Sequence, residues 1–354
     1  MKKRVFAVAL CLLFVLSVIP AATAAAKTLS VHFINVGQGD SILVQLPNGQ
    51  NMLIDAGESS AAKTVTKYLA SKKVKRIDYL VATHPHADHI GGLPAVINAL
   101  PIGEVYAPKA VTTTKTYENF LKAVQAKGLG IKSAKAGVDI INEDDLTVSI
   151  LSPAQESYNN LNNYSAVIKI TYGKTAFLLM GDAEKVIEQE ITADVKADVI
   201  KAGHHGSDTS SSPEFLKAVG AKYAVISCGK KNSYGHPKTE TLDNLVNAGA
   251  AIYRTDKVGN IVFKSNGNNI SVDKKPTAHK PKVSVTPEIK SPAPSVKPTP
   301  SPSDEAQTVT VYVTKTGDKY HLDGCRHLSQ SKIPISLEDA RKKYSPCSVC
   351  KPPV

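Results

Sequence analysis

The chain has 354 residues, a formal net charge of +12 and 42% hydrophobic residues. It is longer than one ordinary domain and apolar enough for a packed core, which excludes a disordered chain, a collagen and a coiled coil. Five cysteines do not make a disulfide-rich scaffold, and the one long apolar run is N-terminal, which excludes a multi-span membrane protein.

Residues 1–26 read as a secretory signal. Met1-Lys2-Lys3-Arg4 is basic, 5–20 is apolar, and Ala-x-Ala cleavage sites end at Ala24 and Ala26. The expected mature protein is therefore secreted, with no stable membrane span after cleavage. Strands are predicted at 29–35, 41–46 and 51–55, joined by Gly turns. A helix at 61–73 leads to a strand at 77–82 that ends in a histidine cluster. Helices at 92–100 and 117–127 follow. Further strands are expected at 146–151, 166–171, 176–180, 197–202, 223–227, 251–255 and 259–264, with short helices at 184–192, 213–219 and 240–248. Two mixed sheets between helical layers fit this order.

Residues 274–306 form a Pro/Ser/Thr/Lys tract with too little apolar content to fold, and read as a linker. It separates a domain at 27–273 from a small module at 307–354. The domain is nearly neutral, with 26 basic against 24 acidic residues, so the linker and tail hold much of the mature excess. A basic tail suits nucleic acid or an anionic cell envelope.

The decisive motif is His84-Pro85-His86-Ala87-Asp88-His89, directly after the apolar strand. Three imidazoles and a carboxylate in six residues make poor core filler, and both are ligands of zinc-like ions. The His-x-His pair can hold one ion, and Asp88 with His89 a second. Three other apolar strands deliver ligand-type residues at their ends: Asp55, Asp182, and His204 with His205. In the tail, His321, Cys325, Cys347 and Cys350 give one nitrogen and three sulfurs, a closed structural zinc set, with His327 the alternative to His321. A module this small needs such a staple. In an exported protein, a Cys347–Cys350 disulfide is the competing arrangement.

The hydrolase motifs resemble the metallo-β-lactamase superfamily, in that family's order along the chain. The implied fold is an α/β, αββα sandwich with metals at one sheet edge. A narrower resemblance rests on Asn35-Val36-Gly37-Gln38-Gly39-Asp40-Ser41, His204-His205-Gly206-Ser207 and Asn232-Ser233-Tyr234-Gly235-His236-Pro237. It is to the hydrolase domain of ComEC-like DNA-uptake proteins, here in a free-standing form. The tail is similar to small zinc-binding modules of secreted nucleases and, more distantly, to the zinc end of Ada repair proteins.

The resemblance implies that His84 and His86 bind a first ion, Asp88 and His89 a second, and that Asp182 bridges them. His205 would be the last ligand of the second ion, with His204 its competitor, while Asp55 would orient histidines. Many family members carry another histidine upstream of the Gly-Asp. This chain has Asn162, Asn163 and Ser165 there.

The expected ions are two Zn²⁺, or Mn²⁺, in the hydrolase and one structural Zn²⁺ in the tail. Two ions would lower the pKa of a shared water, giving a metal-bound hydroxide that cleaves a phosphodiester. Asp88 would orient it. His204, Ser207 or His236 would bind phosphate or protonate the leaving oxygen. Three residues take ordinary readings: His32 as a satisfied strand histidine, Asp40 as turn chemistry as much as site support, and Cys228 as a small buried residue.

The expected protein is a secreted, monomeric, metal-dependent hydrolase of extracellular DNA or another phosphodiester. The alternatives are a phosphorylcholine esterase or β-lactamase-type hydrolase, and, from another class, a DNA- or cell-surface-binding protein with a degenerate site.

Overall fold

Alternation in Leu29-Ser30-Val31-His32-Phe33 turns Leu29, Val31 and Phe33 to one face of a strand, where they meet a second sheet. That strand is β1 (Leu29–Phe33) of a computed structural model that describes residues 27–281, 310–314, 317–322, 325–328, 333–350 and 352. The expected signal 1–26 and most of the expected linker lie outside the described residues. Contacts divide the chain into two units, Met1–Ser284 and Val285–Val354.

In the first unit the chain runs through β2 (Ile42–Gln45), β3 (Asn51–Ile54), α1 (Ala62–Ser71) and β4 (Ile77–Val81). Then come α2 (Ala87–Ile90), α3 (Leu93–Ala99), β5 (Ile102–Ala107), α4 (Lys115–Ala126) and β6 (Ile131–Ser133). The second sheet is built from β7 (Val138–Asn142), β8 (Leu146–Ser152), β9 (Val167–Tyr172), β10 (Thr175–Leu179), α5 (Lys185–Glu190), β11 (Val199–Lys201), α6 (Pro213–Val219), β12 (Tyr223–Ile226), α7 (Thr239–Asn247) and β13 (Ala251–Arg254). After α8 (Thr255–Val258), strands β14 (Ile261–Ser265) and β15 (Ile270–Val272) return to the first sheet.

The sheet orders are β15-β14-β1-β2-β3-β4-β5-β6 and β13-β12-β11-β10-β9-β8-β7. Pairing is parallel from β3 to β6 and from β10 to β13, and antiparallel elsewhere. Between the sheets pack Val31, Phe33, Ile54, Ile168, Phe177 and Phe263. Outside the first sheet, Leu69, Leu93, Val96 and Phe120 of α1, α3 and α4 cover Leu43, Leu53 and Leu80. Outside the second, Ile187, Phe215, Leu216 and Leu245 of α5, α6 and α7 cover Leu178, Ile200 and Ile252. This is the expected αββα sandwich, and it buries both faces of each sheet.

Strands β5, β6, β7 and β15 were not expected from the sequence. Gly103 and Glu104 interrupt the apolar pattern of β5, and β6 and β15 have only three residues each. The four-residue α2 was also missed, although it carries Asp88 and His89. Residues assigned to the start of the linker pack on the first unit. The Thr277 N–H donates to the Ile252 carbonyl at 2.7 Å, and His279 Nε2 lies 2.6 Å from Asp243 Oδ1. Among the described residues, no helix is long and apolar enough to cross a membrane.

The second unit holds β16 (Thr310–Val313), β17 (Lys319–His321), β18 (Ile333–Ser336), α9 (Leu337–Lys343) and β19 (Ser345–Pro346), in the sheet order β18-β16-β17-β19. Its apolar core is Val311, Val313, Tyr320 and Ala340 with a few half-buried neighbours. A core this small calls for a covalent or metal staple.

Candidate active site

Parallel strands with both faces covered are apolar runs, so polar side chains collect where the strands stop. Asp55 follows β3, Thr83 and His84 follow β4, Asp182 follows β10, and His204 and His205 follow β11. Helix α2 begins three residues after His84 and returns Asp88 and His89 to the same place. The backbone after β11 bends sharply: His204, His205 and Gly206 have φ of 45°, 53° and 82°. Left-handed backbone at a non-glycine costs about 1–2 kcal/mol per residue. Here it turns both imidazoles back toward the sheet edge. Gly206 is required on a second count, because a Cβ there would lie 2.5 Å from Pro237 Cβ, behind the His236 loop.

Asp182, almost fully buried, is the hub. Its carboxylate lies 3.2 Å from His89 Nε2, 3.2 Å from His205 Nε2, 3.8 Å from His84 Nε2 and 4.0 Å from His204 Nε2. His84 Nε2 faces His86 Nδ1 at 3.0 Å. Asp88 Oδ2 is 3.2 Å from His205 Nε2 and 4.0 Å from His89 Nε2. The far nitrogens are tied back. His89 Nδ1 meets Asp55 Oδ2 at 2.7 Å, and His205 Nδ1 donates to the Ser227 carbonyl at 3.0 Å. Asp55 in turn accepts from the Thr83 N–H at 2.8 Å and the Thr83 hydroxyl at 2.6 Å. It is fully buried and orients His89, which fits the role the sequence suggested for it.

These residues fit a metal centre. Donor atoms of Asp40, His89, Asp182 and His205 all lie within 4.8 Å of one another. Asp182 Oδ1 is buried without a well-aligned hydrogen bond, its nearest nitrogens being His89 Nε2 at 3.2 Å and Lys201 Nζ at 3.8 Å, a state that a bound cation would relieve. The local field points the same way. Burial alone would lower the pKa of His205, but the carboxylates of Asp182, Asp88 and Asp40 outweigh it and raise it to about 9. His89 is raised likewise against burial by Asp182, Asp55 and Asp88. The pocket thus stabilises added positive charge at these two nitrogens. His84 behaves oppositely: burial and the nearby His89 push it well below its ordinary value, leaving a neutral ring suited to ligation.

A pocket of about 320 Å³ opens over the cluster, with Gln38, Glu58, Asn162, Tyr234 and His236 among its lining residues. Asn162 Nδ2 is 3.4 Å from His204 Nε2, and its buried Oδ1 has no hydrogen-bond partner. Ser165 accepts from the Asp182 N–H at 3.0 Å. His204 is half-buried, with Nδ1 3.3 Å from Glu184 Oε1. His236 is held at a pKa of about 4 by burial and by His204 and His205. Ser207 is buried in a turn beneath His204, accepting from the Thr209 N–H at 3.2 Å, and is not among the residues lining the pocket. His32 is satisfied on one side only: Nδ1 pairs with the Tyr68 hydroxyl at 3.0 Å, while its buried Nε2 has no hydrogen-bond partner.

Sequence reasoning missed one central residue and undervalued another. Lys201, the last residue of β11, is wholly buried. Its Nζ contacts Asp40 Oδ2 at 2.5 Å, donates to the Gly181 carbonyl at 2.7 Å and lies 3.8 Å from Asp182 Oδ1. Asp40, read equally as turn chemistry and as site support, therefore belongs to the site. It can approach because Gly39, at φ +118°, packs on Asp88, where a Cβ would lie 2.1 Å from the backbone oxygen. The available signal was a lysine ending an apolar strand at the motif that supplies His204 and His205.

In the second unit, donor atoms of His321, Cys325, Cys347 and Cys350 lie within 4.8 Å of one another, and could hold a metal ion. His321 Nδ1 is 3.3 Å from Cys325 Sγ and 3.9 Å from Cys350 Sγ. His327, the alternative, is exposed and not part of this group. The competing disulfide is not formed: Cys347 and Cys350 are free thiols. Cys228 is also free and buried, and its thiol is pushed up to about 12 by burial and by Asp256. Alkylation of the native protein with iodoacetamide, mapped by mass spectrometry, should therefore leave Cys228 unmodified with or without chelator. Cys325, Cys347 and Cys350 should react only after metal is removed. Equal modification of the tail cysteines with and without chelator would argue against a bound ion.

A model of the metallo-beta-lactamase superfamily matches residues 34–230, and the chain belongs to that superfamily. It is 33% identical over 254 residues to ComE operon protein 3 of Bacillus subtilis (strain 168), covering 66% of this chain and 33% of that protein. It is 33% identical over 235 residues to competence protein ComA of Neisseria gonorrhoeae, covering 65% and 31%. A 75-residue stretch is 37% identical to ribonuclease Z of Agathobacter rectalis, covering 20% and 24%. The matched region spans about a third of the length of the two competence proteins. Their similarity bears out the resemblance to ComEC-like hydrolase domains.

Proposed function

We propose that this metallo-β-lactamase-fold chain is a metal-dependent phosphodiesterase that cleaves DNA outside the cell. One observation carries the reading: His84, His89, His204 and His205 converge within 4.0 Å on a single buried carboxylate, Asp182, with His86 against His84 and Asp88 against His205. The competence and ribonuclease names of its relatives support a nucleic-acid phosphodiester over a β-lactam or a choline ester.

In this reading His84, His86 and Asp182 would hold one divalent ion, and Asp88, His89, His205 and Asp182 a second. Zn²⁺ suits the imidazole and carboxylate donors, and Mn²⁺ is the alternative. Such ions supply an ionised water near neutral pH and offset charge on the phosphate. The remaining work falls to the chain. Asp55 and the Ser227 carbonyl fix the rings of His89 and His205, so that their Nε2 atoms face Asp182 and would be free to ligate. Asp88 accepts a proton or hydrogen bond from the attacking water. His204, steadied by Glu184, is placed to protonate the leaving oxygen, and neutral His236 to donate a hydrogen bond to a non-bridging oxygen. The tail cluster holds one structural Zn²⁺. Export through residues 1–26, a monomeric state, and contact of the basic tail with an anionic envelope complete the proposal.

The test is cleavage of DNA by the full chain with added Zn²⁺ or Mn²⁺, beside the His86→Ala variant and assays with a β-lactam and a phosphorylcholine ester. Metal-dependent DNA cleavage lost in His86→Ala is the expected result. Salt-sensitive DNA binding with no turnover of any substrate would make this a binding protein instead.

A further inference from the structure

We propose that Tyr234 is a stacking platform for an unpaired nucleobase beside the scissile phosphate, so that the enzyme prefers single strands. This rests on the phosphodiesterase reading and deepens it.

Tyr234 is 63% exposed, so its ring is open to a ligand. It lines the mouth of the pocket that contains His86, Asp88, Asp182, His204 and His205. Its ring stacks on His236 with centroids 5.7 Å apart and planes 26° apart. His236 packs edge-on against His204 at 5.5 Å, and His204 against His205 at 6.1 Å. A continuous chain of rings therefore runs from the metal donors to the surface and ends in Tyr234. One face of Tyr234 is taken by His236, and the ring is otherwise largely open.

The loop that carries it is preorganised. Asn232 Nδ2 donates to the carbonyls of Gly229 at 2.9 Å and His236 at 2.7 Å, and Asn232 Oδ1 accepts from the His236 N–H at 2.9 Å. Lys238 Nζ donates to the Tyr234 carbonyl at 2.9 Å. A ring fixed in this way loses little freedom when a base covers it. Lys230 and Lys231 are exposed on the same loop, which supplies positive charge for a phosphate backbone next to the aromatic surface. Aromatic rings interleaved with lysines suit single strands, because every unpaired base has a π-face, whereas a duplex keeps its faces stacked inside. Neither a β-lactam nor a choline ester offers a flat aromatic base to such a ring.

The experiment compares steady-state kinetics of the metal-loaded full chain on three substrates. They are a single-stranded oligonucleotide, the same strand made abasic around the scissile linkage, and bis(p-nitrophenyl) phosphate. Base stacking judged by alanine substitution corresponds to roughly a five- to hundredfold change in affinity. Tyr234→Ala should raise KM for the base-bearing strand by that factor, with kcat nearly unchanged, and should leave the abasic strand as it is. Tyr234→Phe should behave as wild type. Equal KM for the base-bearing and abasic strands in the wild type, or an equal effect of Tyr234→Ala on both, would overturn the platform while leaving the phosphodiesterase reading intact. Wild-type cleavage of bis(p-nitrophenyl) phosphate but of neither strand would do the same. Cleavage of none of the three by a folded, metal-loaded chain would overturn the phosphodiesterase reading and the platform with it.

Discussion

Asp182→Ala should abolish metal-dependent hydrolysis and lower the metal content of the hydrolase domain. Among the described residues, Asp182 is the one carboxylate within 4.0 Å of nitrogens from His84, His89, His204 and His205. Removing it takes a shared donor from both proposed ions, and it removes the negative charge that holds His89 and His205 ready for a cation. The natural comparison is Asp55→Asn. Asp55 touches no proposed ion and acts through its 2.7 Å contact with His89 Nδ1. Outer partners of this kind typically cost about 10–100-fold in affinity or activity when lost. Asp182→Ala should fall well below that range in kcat and should bind fewer ions by elemental analysis. Asp55→Asn should keep its metal at high metal concentration. If the two variants lose activity equally and retain equal metal, Asp182 is an orienting residue and the proposed shared ligand is wrong.

The part of this site that was legible in the sequence is the part written locally. His84 to His89 spans six positions, and a loop at a strand end is enough to see that its side chains can converge. The Asp55, Asp182 and His205 motifs were legible because each ends an apolar run, so the strand periodicity itself locates them. Lys201 was hidden because its meaning depends on Asp40, which is distant in sequence and brought close only when β11 and the loop after β1 meet between the sheets. Asp40 was discounted because its Gly-rich neighbours explain a turn equally well, and nothing local shows that Gly39 packs on the backbone of Asp88. The same logic covers the strands. Interior strands β8 to β12 show plain apolar patterns. The edge strands β6, β7 and β15, pairing on one side only, are short and half-polar, and lack the pattern that periodicity reads.

The second large effect should come from that hidden pair. A lysine with no exposed surface is tolerable only when its charge is matched, and here Asp40 matches it while the Gly181 carbonyl takes a further proton of the ammonium. Lys201→Met keeps the volume but leaves Asp40 buried and uncompensated. Breaking one side of a buried pair costs about 3–5 kcal/mol. For a domain of this size, each kcal/mol shifts the melting temperature by roughly 2–4 °C. A fall on the order of 10 °C in Tm is therefore expected for the metal-free protein. The double change Lys201→Met with Asp40→Leu removes both charges and should recover most of that loss, because a well-packed apolar pair is often as stable as the ion pair it replaces. Activity should not recover with it. Asp40 lies 3.7 Å from His205 Nδ1 and 4.0 Å from His89 Nδ1, and Lys201 holds the carbonyl next to Asp182, so the pair braces three proposed ligands. A double variant that regains stability but stays impaired would place the pair in service of the metal site. One that regains both would make it an element of the fold alone.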